Sequence, residues 1–214
     1  MIRFLPALLT ALLLAPLPLT AAEEEGFTSL FDGETLAGWQ GQEGGYVVEE
    51  GAIVCVPSKG GFLYTEKEYA DFILRFEFKL TEGANNGLGI RTPKGGDPAY
   101  VGMELQILDN ESPKYKDKLA EYQYHGSVYG VVPAKRGFLK PAGEWNQQEV
   151  TVKGGHVKVV LNGETILDAD VRKAAEGGTI DKRQHPGLER DKGYICFCGH
   201  GARVEFRALS IKEL

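Results

Sequence analysis

The stretch FILRFEFKL, Phe72–Leu80, constrains the fold more than any other. Phe72, Leu74, Phe76, Phe78 and Leu80 recur with period two, separated by Ile73, Arg75, Glu77 and Lys79. Successive side chains of a strand point to opposite faces, so this alternation predicts a β-strand with one aromatic face in a core. YVGMELQILDN, Tyr100–Asn110, repeats the pattern: Met103, Leu105 and Ile107 point one way, Glu104 and Gln106 the other. It is expected to be a half-buried strand whose polar face, carrying a carboxylate and a carboxamide, suits the floor of a binding site.

Shorter runs of the same kind fall at 46–48, 52–56, 62–64, 87–91, 149–153, 156–161, 165–169, 193–198 and 203–212. Glycine, 28 residues in all, punctuates them. Leu161-Asn162-Gly163-Glu164 is a hairpin signal, because both central residues of such a turn need positive φ. Many short strands at this spacing predict an all-β sandwich or jelly roll. Two segments break the rhythm. Pro113–Lys118 is polar and reads as a loop or short helix, and Arg172–Arg190 is a long connection of the kind that is usually functional or mobile.

Residues 1–22 read as a secretory leader: Arg3, an apolar run from Leu8 to Leu19, then the small residues Thr20-Ala21-Ala22. The run is too short and wrongly flanked for a retained membrane helix, so a secreted or periplasmic product without a membrane anchor is expected, with a single domain over 23–214. The net charge is −6 and lysine and arginine form no cluster, which argues against nucleic acid as a partner and leaves neutral sugars open. Cys55, Cys196 and Cys198 are an odd set, with the last two on one face of a single strand, and buried thiols are expected rather than a disulfide.

Taken together, FTSLFDGETLAGW (27–39), GAIVC (51–55), YADFILRFEFKLTEGANNGLGIRT (69–92), MELQILDN (103–110), GEWN (143–146) and HPGLERDKGYICFCGHGARVEFRALSIKEL (185–214) resemble one bacterial family. This is the 3-keto-disaccharide hydrolase family, also named 3-keto-glucoside 1,2-lyase/3-keto-2-hydroxyglucal hydratase. The resemblance runs from Phe27 to Leu214 and implies a concanavalin A-like jelly-roll sandwich of two curved antiparallel sheets with a ligand on the concave face. It implies a carbohydrate substrate, a 3-keto-glucoside or oligosaccharide. A separate sugar oxidoreductase must then supply the keto group, since no dinucleotide fingerprint is present.

An ordinary sandwich glycosidase needs two carboxyl groups flanking the scissile bond. The alternate positions here read Glu104, Gln106, Leu108, with Asp109 on the other face, so that mechanism is disfavoured on this strand. A 3-keto sugar needs less, because its carbonyl acidifies the C2 proton and a single base can start an elimination at C1. Glu104 is the expected base, or a ligand with His200 for a divalent metal ion. Arg91, on the face opposite Leu88 and Ile90, is expected to hold an enolate oxygen or to pair with Glu104. His125, within YHGSVYG, and His200, after the strand at 193–198, complete the catalytic candidates. Gln106, Tyr124, Tyr129, His185, Arg190 and Asn86 are the candidate substrate contacts, with the tyrosines as stacking platforms. Trp39 and Trp145 are expected in packing roles and His156 at the surface. A non-catalytic carbohydrate-binding module remains the alternative, since a fold does not fix a function.

Overall fold

The computed structural model describes residues 26–214, so the leader read at 1–22 lies outside the described residues. The strands are β1 (Thr28–Ser29), β2 (Trp39–Gly41), β3 (Tyr46–Glu49), β4 (Ala52–Cys55), β5 (Gly61–Tyr69), β6 (Phe72–Leu80) and β7 (Asn85–Thr92). One helical turn, α1 (Pro98–Val101), precedes β8 (Met103–Leu108). Then follow β9 (Trp145–Lys153), β10 (His156–Leu161), β11 (Glu164–Asp170), a second turn α2 (Val171–Ala174), β12 (Gly193–Gly199) and β13 (Val204–Glu213).

They form two antiparallel sheets. The larger runs β11-β10-β9-β6-β13-β4-β3 with β1 beside β13, and the smaller runs β2-β5-β12-β7-β8. The period-two reading of β6 holds along its length, with Phe72, Leu74, Phe76, Phe78 and Leu80 buried and the residues between them half-buried. That aromatic row meets Phe197 of β12, which also stacks on Phe206 at 3.7 Å and on Trp39 at 5.5 Å between ring centroids. Trp39 is thus a core residue, on a short strand that the sequence did not reveal. Trp145 lies beneath Lys79 and Arg207. The Asn-Gly hairpin is present, with Asn162 at φ 51° and Gly163 at φ 90°.

One expectation is corrected. β8 is buried on both faces, because other segments pack over its polar side. The long connection is tied down: Asp170 caps α2, and Arg172 donates to Leu188 O and to Asp191. The cysteine reading holds, since Cys55, Cys196 and Cys198 are free and buried. His156 is exposed and paired with Asp168.

Candidate active site

Alternation on β7 and β8 builds the site. Leu88, Ile90, Met103, Leu105 and Ile107 fill the core, so Gly87, Gly89, Glu104 and Gln106 share the outer face of the small sheet. A Cβ at Gly87 would stand 1.7 Å from Glu104 Oε1, so the absence of a side chain there is what lets the carboxylate lie across β7 toward β12. The segment 126–129 runs along the free edge of β8, with Gly126 N donating to Gln106 O, Gln106 N to Ser127 O and Tyr129 N to Glu104 O. Capping that edge brings Tyr129 over the floor and protects an otherwise open strand.

The result is a cavity of about 190 Å³. Its floor is Glu104, Gln106 and Asn85, its walls include Tyr100 and Tyr129, and Asp97 and His200 stand on its rim. Gln106 Nε2 donates to Asn85 Oδ1 at 2.7 Å, and Gln123 Nε2 donates to Tyr129 OH at 3.0 Å, leaving that phenol proton free for a ligand. Tyr100 accepts from Arg183 at 2.7 Å, yet burial pushes its phenol up. Behind Tyr100, at 5.0 Å, lies His185, whose Nδ1 meets Ala99 O at 3.0 Å and whose Nε2 meets both Asp181 oxygens at 3.1 Å.

Glu104 is 5% exposed, and its Oε1 has no hydrogen-bond partner among the described residues. The His200 ring stands beside it, with Nε2 3.9 Å away, too far for a hydrogen bond. Burial raises the Glu104 carboxyl above its ordinary value, opposed in part by His200. The His200 ring is raised in turn by Glu104 against its own burial. A desolvated carboxyl group beside an imidazole sets two proton-transfer groups in one cavity. A buried carboxylate oxygen without a donor is costly unless a ligand supplies one.

Of the expected residues, Glu104, Gln106, Tyr129 and His200 line this cavity. The others do not. Arg91 is 1% exposed and sits at φ 49°, a left-handed backbone that breaks the strand's alternation. Its guanidinium donates to Ala70 O, Gly154 O, Arg190 O and Asp71 Oδ1, so its ion-pair partner is Asp71 and not Glu104. Arg190 belongs to the same knot, with Nε donating to Arg91 O. His125 lies in the core, stacked on Phe78 at 5.1 Å, with Nδ1 accepting from Leu108 N and Nε2 donating to Gln148 Oε1 at 2.9 Å. Burial lowers its pKa to about 4, so it is neutral. Asn86 points into the core toward Tyr46 OH, and Tyr124 is buried under Arg136 with its OH donating to Tyr115 O. His185 stands behind the Tyr100 wall and does not line the cavity.

Sequence reasoning missed Asn85, Asp97, Tyr100 and Gln123. Asn85 was one step out of reach: with Leu88 and Ile90 inside, period two places Asn85 outside and Asn86 inside. Asp97 followed by Pro98 was a readable helix start, and its side chain does cap α1 by accepting from Ala99 N.

A family model described as the 3-keto-alpha-glucoside-1,2-lyase-like domain matches residues 26–212. The chain belongs to this family. A 3-keto-disaccharide hydrolase from Bacteroides thetaiotaomicron is 27% identical over 231 residues, which cover 90% of this chain and 80% of that protein. A crystal structure from Parabacteroides distasonis, described as a glycosyl hydrolase, is 29% identical with a TM-score of 0.75, covering 89% of this chain and 94% of that one. The carbohydrate-binding module CBM66 from Bacillus subtilis shares the fold at a TM-score of 0.55 and 12% identity, covering 82% of this chain and 96% of that one. The lyase-like family is thus a family of carbohydrate-active enzymes, and this member is built on a jelly-roll sandwich. As for a metal, no group of three His, Cys, Asp or Glu side chains is arranged to hold an ion among the described residues. Glu104 and His200 offer two donors, and an ion there would draw the rest of its shell from water or substrate.

Proposed function

We propose that the protein cleaves 3-keto-glycosides in the small-sheet cavity, with Glu104 as base and His200 as acid. The observation that carries this reading is Glu104 Oε1, buried and without a donor among the described residues, in a one-ring cavity that His200 also lines, with its Nε2 3.9 Å away. Glu104 removes the C2 proton, and the electron pair moves into a C2–C3 double bond as the keto oxygen gains negative charge. The phenols of Tyr129 and Tyr100 at the walls are the donors available to that oxygen. Return of the electrons forms a C1–C2 double bond and expels the C1 substituent, whose oxygen takes a proton from His200. Addition of water at C1 of the resulting 3-keto-2-hydroxyglucal completes a net hydrolysis.

Asp97, the other carboxylate at the rim, is engaged as the α1 cap, which favours one-base elimination over a two-carboxylate displacement. The reading includes export to the periplasm or beyond, with the leader at 1–22 removed, and a separate oxidoreductase that makes the keto substrate. N-terminal sequencing of the protein recovered from cell fractions tests the first point.

The deciding experiment incubates the purified protein with a 3-keto-glucoside and with its unoxidised parent. Release of the C1 substituent from the keto sugar alone is expected. Cleavage of the parent glucoside, or binding of either sugar without cleavage, overturns the proposal. Dialysis against a chelator asks whether a divalent ion joins Glu104 and His200, and the two-donor set predicts unchanged turnover.

A further inference from the structure

The long connection between α2 and β12 is bonded to both tyrosine walls of the cavity. On one side, Asp181 N donates to Gly130 O at 3.2 Å, next to Tyr129. On the other, His185 Nδ1 stands 3.0 Å from Ala99 O, next to Tyr100, with the His185 ring 5.0 Å from the Tyr100 ring. Between these attachments, His185 Nε2 meets both Asp181 oxygens at 3.1 Å, with the His185 and Asp181 side chains 1% and 4% exposed. A single buried pair thus spans from one wall to the other.

The pair is fully matched. Thr179 Oγ1 and Arg183 N donate to Asp181 Oδ1 at 2.9 and 3.0 Å. Burial pushes the Asp181 carboxyl up, yet Arg183 N, Thr179 and His185 outweigh it and hold the group below its ordinary value. His185 faces two acceptors, a carbonyl and a carboxylate, so its ring is satisfied only when both nitrogens carry a proton. The backbone leaves room for this arrangement. A Cβ at Gly130 would stand 2.5 Å from Asp181 Oδ2 and 2.7 Å from His185 Nε2. One at Gly187 would stand 1.9 Å from Gly102 O, at the end of α1. The same loop reaches the Tyr100 phenol itself, through Arg183 at 2.7 Å. Tyr100 OH accepts there as Tyr129 OH accepts from Gln123, so each phenol keeps its own proton for a ligand.

We propose that Asp181 and His185 are positioning residues, whose buried pair holds Tyr100 and Tyr129 at the spacing at which both phenols meet the keto oxygen. The inference rests on the cleavage reading above and adds what fixes its two donors. Neither side chain lines the cavity, so the pair acts through the walls and not on the sugar. Donors to a developing negative charge are effective when they are held in place before the reaction. Tyr100 and Tyr129 come from separate segments, α1 and the stretch along the edge of β8, and the pair is bonded beside each of them.

The test compares Asp181→Ala with Asp181→Asn on a 3-keto-glucoside. A carboxamide accepts from Thr179 and Arg183 N and donates to a neutral His185 ring, which keeps both attachments, whereas alanine breaks the pair. In Asp181→Ala, kcat is expected to fall about 10- to 100-fold while KM changes by less than about threefold, because the phenols act on charge formed in the transition state. In Asp181→Asn, kcat is expected to stay within about threefold of the wild type. Thermal melting shows which variants are folded. If Asp181→Ala is not, His185→Phe, which keeps a ring beside Tyr100 and lacks both donors, serves with the same expected fall. Wild-type kcat in the folded variant overturns the proposal. So does an equal loss in Asp181→Asn, because the charge and not the bonding would then matter. If the wild type cleaves no keto-glucoside, the cleavage reading fails separately, and a second measurement decides whether the pair holds the wall. Burial pushes the Tyr100 phenol up, so its titration midpoint, followed at the ζ-carbon in tyrosine-labelled protein, should fall further in Asp181→Ala than in Asp181→Asn. Equal midpoints in the two variants overturn the positioning role.

Discussion

Arg91 and Glu104 lie on adjacent strands of one sheet, both almost wholly buried, and they have opposite fates. The guanidinium of Arg91 meets three carbonyls and one carboxylate, which ties β7 to Ala70, Asp71, the 154 turn and Arg190. The carboxylate of Glu104 has one oxygen with no donor among the described residues. A buried charge whose hydrogen-bonding groups are matched holds a structure together. One left unmatched costs stability and marks a place where something else is meant to bind. The histidines repeat the contrast: His125 is satisfied and neutral in the core, while His200 stands at a rim beside a carboxylate it does not reach.

The largest expected effect is the sharpest test of that contrast. Glu104→Gln should lower kcat by about 10²- to 10⁴-fold, the usual worth of a positioned base, while its urea midpoint stays level or rises. A variant that lost stability instead would place Glu104 with the structural charges. Arg91→Met should do the reverse, destabilising the protein by about 3 kcal/mol in urea titrations, because Asp71 loses its ion-pair partner and the carbonyls of Ala70 and Gly154 lose their guanidinium donor. An Arg91→Met protein that melts normally but is inactive would break the comparison.

The pH dependence separates the pairs further. Turnover should rise as Glu104 deprotonates above its ordinary carboxylate range and fall as His200 deprotonates above its ordinary imidazole range, giving a bell. In His200→Gln the alkaline limb should vanish and the acid limb move to higher pH, because the charge that held the Glu104 proton off is gone. For stability, the raised Glu104 value means that the folded state binds this proton more tightly, so its contribution is full below the ordinary value and is lost as pH rises through the folded one. Glu104→Gln should remove that slope in urea titrations.

The smallest effect is at His125. Its folded value of about 4 lies below 6.5, so its contribution to stability is present above 6.5 and is lost as pH falls toward 4. Urea titrations between pH 4 and 7 should show a shallower acid loss in His125→Phe than in the wild type. Equal slopes would mean that His125 is not the buried neutral ring described here.

The sandwich was legible in the chain because strand alternation is local: β6, β8 and the Asn162-Gly163 hairpin need only their own residues to declare a face or a turn. The same period also brought Glu104 and Gln106 to the outer face correctly. It failed wherever a side chain's surroundings come from distant segments. Arg91 obeyed the alternation in sequence, but its left-handed φ and the acceptors at 70, 71, 154 and 190 decided its role. His125 looked like a pocket rim between aromatics and glycines until Phe78 and Gln148, from two other strands, enclosed it. Sequence by itself determined which residues share a face of a strand. Only the tertiary structure decided which buried polar groups are matched and which wait for a ligand, because a hydrogen-bond partner is a neighbour in space and leaves no mark at a fixed spacing along the chain.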